Sequence, residues 1–174
     1  RIVILGAGPV GIEAALYARY LGYELLLLDR QEVAANVRCW GHQRMITPFA
    51  CCRSPLGLAA LQAQEPSYRP PEDRDTLTGN QWINQYLQPL SQTDLLSDHV
   101  RCGVTVTAVG RQSLHKGQRP HEDVRADDGF RLLLERSDGT ESTETGDIVI
   151  DATGLVGQAR GCGPGGIPAC GERE

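Results

Sequence analysis

Three glycines set the chemistry available near the start of the chain. Gly6-x-Gly8-x-x-Gly11 follows the apolar run Ile2-Val3-Ile4-Leu5 and leads directly into a stretch of helical character. At this spacing Gly6 permits a tight turn, and Gly8 lets a pyrophosphate approach the backbone without meeting a Cβ. Gly11 lets the helix lie close to the strand. A helix starting there turns free N–H groups and its positive dipole end toward phosphate oxygens. Asp29 closes a second apolar run, Leu25–Leu28, where a carboxylate can accept hydrogen bonds from ribose hydroxyls and would repel a 2′-phosphate. The motif by itself does not choose between NAD and FAD.

The other reactive side chains form no comparable pattern. Cys39, Cys51, Cys52, Cys102, Cys162 and Cys170 include no C-x-x-C pair, and the four histidines (His42, His99, His115, His121) add no zinc-ligand spacing. Reduced thiols in an intracellular, cytoplasmic protein are the expectation, with Cys51-Cys52 read as two thiols rather than a vicinal disulfide. A net charge of −5 argues against a nucleic-acid partner. No apolar run approaches the roughly 18 residues of a membrane helix, and no signal peptide opens the chain. The 174 residues suit one domain. An opening on Arg1, already inside a strand, leads to the expectation that the natural chain starts elsewhere.

The elements that must position these residues follow from periodicity. Ile2–Leu5 reads as a strand buried on both faces of a parallel sheet. A helix to about Leu21 follows, with Val10, Ala14, Ala18 and Leu21 expected to share its buried side, and Gly22 ends it. With Leu25–Leu28 this makes one βαβ unit. Ser54-Pro55 reads as an N-cap with proline in the first turn, and Thr78-Gly79-Asn80-Gln81 has capping-box spacing. The helix through Ile83, Tyr86, Leu87 and Leu90 is expected to close at Pro89. From Gly103 the period becomes two. Val104, Val106 and Ala108 alternate with threonines, 112–128 is a loop, and Phe130–Leu134 pairs with 140–145 through Ser137-Asp138-Gly139-Thr140. Asp147–Asp151 returns to a buried strand ending in Ala152-Thr153-Gly154. The predicted fold is α/β and Rossmann-like: a parallel sheet with an antiparallel β-meander inserted at about 103–146, and a glycine-rich exit loop over 155–174.

On these residues the sequence resembles the two-dinucleotide-binding-domain flavoproteins, which include flavin-containing and N-hydroxylating monooxygenases and thioredoxin-reductase-like oxidoreductases. The resemblance rests on Val3–Ala15 with its glycines, Asp29, the meander, and Asp147-Ile148-Val149-Ile150-Asp151-Ala152-Thr153-Gly154. Trp40-Gly41-His42, Thr47-Pro48-Phe49 and Ser54-Pro55-Leu56-Gly57 look like a bacterial monooxygenase-like branch. The resemblance implies a single FAD-binding domain over 1–174, with Gly6, Gly8, Pro9, Val10 and Gly11 on the pyrophosphate and Asp29 with Arg30 on the adenosine ribose. Val106 would meet adenine, and Ala152, Thr153 and Gly154 would line the cofactor. Trp40, His42, Met45 and Thr47 are candidates for the ribityl and flavin end. Packing is an equal reading of Trp40, while a hydrogen-bonded loop histidine is the preferred reading of His42 and core filling that of Met45. Cys51-Cys52 departs from the aromatic or polar residues expected of relatives.

The implied activity is FAD-dependent, NAD(P)H-using oxidation of a small-molecule substrate, monooxygenase-like, with no nucleic-acid or membrane partner and self-association left open. The separate NAD(P)H domain of the family has no second fingerprint here, since Gly161-x-Gly163-x-Gly165-Gly166 lacks a strand before it and a helix after it. The chain is therefore expected to be the FAD part of a longer enzyme. The alternatives are a thioredoxin-reductase-like disulfide oxidoreductase, which needs a C-x-x-C, and a non-catalytic FAD- or NAD-binding module.

Overall fold

A computed structural model describes residues 1–115, 127–154 and 161–172. β1 (Ile2–Leu5), α1 (Pro9–Tyr20) and β2 (Leu25–Leu28) come first. They are followed by α2 (Ala35–Arg38), α3 (Pro55–Gln64), α4 (Gly79–Trp82), a π-helical stretch Ile83–Leu87, and α5 (Gln88–Ser91). β3 (Val100–Arg101), β4 (Val104–Arg111), β5 (Phe130–Arg136), β6 (Glu141–Gly146) and β7 (Ile148–Asp151) complete the order. β1, β2, β3 and β7 form a parallel sheet in the order β3-β2-β1-β7, with Ile2 level with both Leu25 and Ile148. β4, β5 and β6 form an antiparallel meander.

Alternation along the central strands decides what each face carries. Ile2, Ile4, Leu25 and Leu27 point into the core shared with α1 and the middle helices. Val3, Leu26 and Leu28 point the other way, onto Val104, Leu132 and Leu134 of the meander. Both faces of β1 and β2 are therefore covered, which is why these strands read as unbroken apolar runs. The meander starts at Val104 and ends at Gly146, where a Cβ would lie 2.7 Å from Val3 Cγ2. Its hairpin turns at Gly139 (φ +81), whose N–H donates to Arg136 O at 2.9 Å.

Four local expectations meet corrections or limits. In α1, Val10 and Leu21 are 70% and 65% exposed, and the buried side is Gly11, Ile12, Ala15, Leu16 and Ala18. The helix is apolar on most sides, so periodicity leaves its orientation open. The small row Gly11, Ala15 and Ala18 permits the closer approach to the sheet and wins. Pro89 does not close its helix, which runs on to Ser91. The turn widens over Ile83–Leu87 until Gln88 N–H reaches Ile83 O. Gln85 O, whose α-helical donor would be the N–H that proline lacks, accepts the Tyr68 hydroxyl at 2.8 Å. Of the loop 112–128, Ser113 N–H and Oγ donate to the Asp128 carboxylate, while 116–126 lie outside the described residues. So do 155–160 and 173–174 of the exit loop, whose described part holds a single 3-10 turn at Pro164–Gly166. The caps at Ser54 and Thr78 form as expected, the latter as a full capping box.

Candidate functional site

The three glycines act differently, and the difference is geometric. Gly6 turns with φ +100, and a Cβ there would sit 2.6 Å from Ala152 O, so the loop lies hard against the residues after β7. At Gly11 a Cβ would sit 1.8 Å from Gly6 O, the closest approach of α1 to the strand end. At Gly8 a Cβ would meet nothing within 4 Å. Its backbone is extended (φ −78, ψ −177), so no conformational reason calls for glycine at this position. The space beyond Gly8 is a groove.

That groove, of about 410 Å³, lies at the C-terminal ends of the parallel strands, where α/β sheets place their ligands. Leu5, Gly6 and Gly8 form its floor. Asp29, Arg30 and Gln31 come from the end of β2, and Asn36 from α2. Thr105 and Val106 rise from the meander, and Ala152, Thr153 and Gly154 close the side beside β7. Of the residues expected at a cofactor, Gly6, Gly8, Asp29, Arg30, Val106, Ala152, Thr153 and Gly154 are brought together here. Gly11 and Pro9 lie at the start of α1 behind the loop, and Val10 faces solvent. Trp40, His42, Met45 and Thr47 are not part of the lining. Trp40 and Met45 pack against the core, His42 is exposed, and Thr47 Oγ1 lies 3.2 Å from Cys52 Sγ.

Hydrogen bonds hold the groove's rim. Asp29 accepts from Ala7 N–H at 2.7 Å through Oδ2 and from Gln31 N–H at 2.8 Å through Oδ1. Ala7 O accepts from Ala34 N–H at 2.9 Å, and Ala34, with φ +57, is the described non-glycine residue in the left-handed region. Asp151 Oδ1 accepts from the Thr153 hydroxyl at 2.7 Å and N–H at 3.0 Å, and those bonds hold its carboxyl below the usual aspartate range. Partial desolvation, with Asp29 and Glu32 near, pushes the thiol of Cys102, an exposed residue, up. Arg30 is the cationic side chain in the lining. Anionic charge in the groove would therefore be met mainly by main-chain N–H groups at the start of α1, whose N-cap carries no side-chain hydrogen bond. Among the described residues no group of His, Cys, Asp and Glu could hold a metal ion, and no helix is long and apolar enough to cross a membrane.

Gln31, Asn36 and Thr105 were not expected in the lining. Gln31 follows from the rule that residues just past a parallel strand face the crevice, while Asn36 arrives from α2, which no strand-end rule places there. Thr105 follows only from the packing of the meander, which no local signal reports.

Together the sheet, glycine loop and meander define a Rossmann-like α/β fold. No protein-family model and no curated protein matches the sequence. Solved structures do match the fold. The bacillithiol disulfide reductase of Bacillus cereus aligns with a TM-score of 0.65 at 16% identity, over 94% of this chain and 42% of that one. OTEMO in complex with FAD and NADP aligns with a TM-score of 0.58 at 22% identity, over 88% and 25%. An oxidized steroid monooxygenase bound to NADP aligns with a TM-score of 0.58 at 18% identity, over 88% and 26%. The likeness is one of fold, and the chain spans less than half of each of these structures.

Proposed function

We propose that this chain is the FAD-binding part of an NAD(P)H-using oxidoreductase with a monooxygenase-like reaction. The carrying observation is Gly8, a glycine with no internal reason to be one, set where a Cβ would project into the groove at the ends of the strands. A diphosphate against that bare backbone, facing the start of α1, supplies the missing reason. The donor set fits: main-chain N–H groups for phosphate, and Arg30, Gln31 and Val106 toward the nucleoside, with Thr153 and Gly154 on the far side. When bound, the flavin ring supplies the electron chemistry, taking a hydride from a reduced nicotinamide and passing electrons to an acceptor. The chain's part is to bind and orient the cofactor. That OTEMO is recorded with both FAD and NADP supports this reading.

The disulfide-reductase reading is favoured by the larger TM-score of the bacillithiol reductase. It lacks a C-x-x-C pair in these 174 residues. The absorbance spectrum of the purified protein, before and after incubation with FAD, tests the common ground of both. Retained or reconstituted flavin absorbing near about 450 nm is the expected result, and a folded protein that takes up no FAD refutes it. Oxygen-dependent against disulfide-dependent NAD(P)H consumption then separates the two reactions.

A further inference from the structure

A second cavity, of about 380 Å³, shares no residue with the groove. Arg44, Arg74, Asp75, Thr76, Leu77 and Gln81 line it, and two short extended segments place most of them. Residues 43–45 run antiparallel to 77–79. Met45 N–H donates to Leu77 O at 2.8 Å and Gly79 N–H to Gln43 O at 3.1 Å, with Arg44 opposite Thr78. Side chains alternate across such a ladder. Met45 and Leu77 pack into the core, which leaves Arg44 and Thr76 on the outer face. The polar groups gathered there are mostly donors. Arg44 Nη1 donates to Thr76 O, a bond that fixes the guanidinium, and Arg44 has no carboxylate partner among the described residues. Arg74 Nε donates to Glu72 Oε2 at 2.9 Å, and its two terminal nitrogens stay open. Gln81 is oriented by the capping box: its Oε1 accepts Thr78 N–H at 2.8 Å, so its amide nitrogen remains a free donor. Asp75 is the acid of this lining, so two guanidinium groups face one carboxylate.

We propose that this cavity binds a small oxyanion, a carboxylate or phosphate group, between Arg44 and Arg74, with the Gln81 amide as a further donor. The site stands apart from the groove and does not depend on what occupies it. A face built only for solvation pairs its arginines with acids, as Arg38 pairs with Glu32 and Arg53 with Asp73. Arg44 is held instead by a neutral carbonyl, which sets its direction and leaves its charge unmatched. A guanidinium offers N–H groups in a fixed fork that suits two oxygens of one planar or tetrahedral anion, a geometry a spherical halide cannot use. Because the Thr76 bond already limits the rotamers of Arg44, the ordering cost of binding falls mainly on Arg74.

The test is a set of titrations followed by amide resonances. The protein is titrated with inorganic phosphate, with malonate, and with sodium chloride at matched ionic strength, while the Gln81 side-chain amide and the Thr76 and Leu77 main-chain amides are observed. Saturable shifts at these positions are expected from at least one oxyanion and not from chloride. Phosphate alone, malonate alone, or both together then identifies the group the site takes. Arg44→Gln and Arg74→Gln are each expected to raise the midpoint about tenfold or more. Arg69→Gln, which removes an exposed arginine outside the lining, is expected to leave it unchanged. Shifts that chloride reproduces, or that persist undiminished in both lining variants, overturn the proposal in favour of general charge screening. So does the absence of saturable shifts with either oxyanion. The Gly8 amide, read in the same spectra, reports any phosphate entering the groove, so the two sites fail separately. If one lining variant does not fold, the other carries the comparison with Arg69→Gln.

Discussion

Replacing Gly8 with valine separates the need for a bare backbone at this position from the general needs of the fold. A Cβ at Gly8 meets no atom within 4 Å, so the side chain enters open space. The backbone angles, φ −78 and ψ −177, are ordinary for a β-branched residue. Loss of glycine's freedom in the unfolded chain stabilises by about 0.4–1 kcal/mol, and valine at a helix N-cap costs about as much. The two nearly cancel, so the melting temperature is expected to stay within roughly 4 °C of wild type. Binding behaves otherwise. The new methyl groups occupy the space of the diphosphate and hold it off the main-chain N–H groups, each bond to a charged oxygen being worth about 1.5–3 kcal/mol. Losing two such bonds weakens FAD by at least about a hundredfold. Thermal melting and fluorescence titration of the apo-protein read the two effects separately. A Gly8→Val protein that melts as wild type and binds FAD equally well refutes the placement. One that loses its fold shows that Gly8 is structural after all.

The remaining expectations concern the frame around the groove. Gly11→Ala places a methyl 1.8 Å from Gly6 O, a backbone atom that cannot step aside, so a loss of about 3 kcal/mol or more is expected in urea unfolding. Tyr86 is fully buried, donating to Glu13 Oε1 at 2.5 Å and accepting Ser54 N–H at 3.0 Å. Tyr86→Phe leaves both unpaired and is expected to cost about 1–3 kcal/mol by the same measurement. Burial first, and then Glu13, raise the Tyr86 hydroxyl above its ordinary value. With the folded value raised, its contribution is complete below about pH 10 and is lost as pH climbs through the folded value. Alkaline unfolding is therefore expected to flatten in Tyr86→Phe, and an unchanged profile counts against this origin. Thr153→Val removes the hydroxyl bond to Asp151, and the Asp151 carboxyl resonance is expected to titrate closer to the usual 3.8.

What the sequence made legible was whatever depends on near neighbours. The βαβ unit, both side-chain caps and the meander's limits are encoded by residues within a few positions of one another, and the glycine spacing marks the groove's floor. The orientation of α1 was not legible, because Val10 and Leu21 are as apolar as Ile12 and Leu16. The choice came from how closely Gly11, Ala15 and Ala18 could approach the sheet. Pro89 misled because the compensation comes from Tyr68, on another segment, satisfying Gln85 O. Trp40 and Met45 are apolar enough to serve a ligand or a core, and only the packing around residues 77–80 shows them in the core. Asp29 was placed correctly at the strand end, but the turning of its carboxylate toward Ala7 depends on a loop whose conformation no spacing rule describes.

The proposed diphosphate site has to work on a chain of net charge −5, and the polar groups of the groove bear on how it would. The lining carboxylate, Asp29, accepts from the N–H groups of Ala7 and Gln31, and Asp151, just outside the lining, accepts from Thr153. Both stay negatively charged, since neutral donors favour the ionised form, so the proposed anion has to be attracted by other groups. The attractive groups are peptide dipoles held by the sheet, the hydrogen bonds on Ala7 and the start of α1, and they need little reorganisation when a ligand arrives. Lysine side chains would attract the anion from farther away, but they would have to be ordered on binding and would be screened by salt. Recognition built from main chain depends instead on how near the backbone can come. That places the burden on Gly8, and it makes an acidic surface compatible with an anionic cofactor.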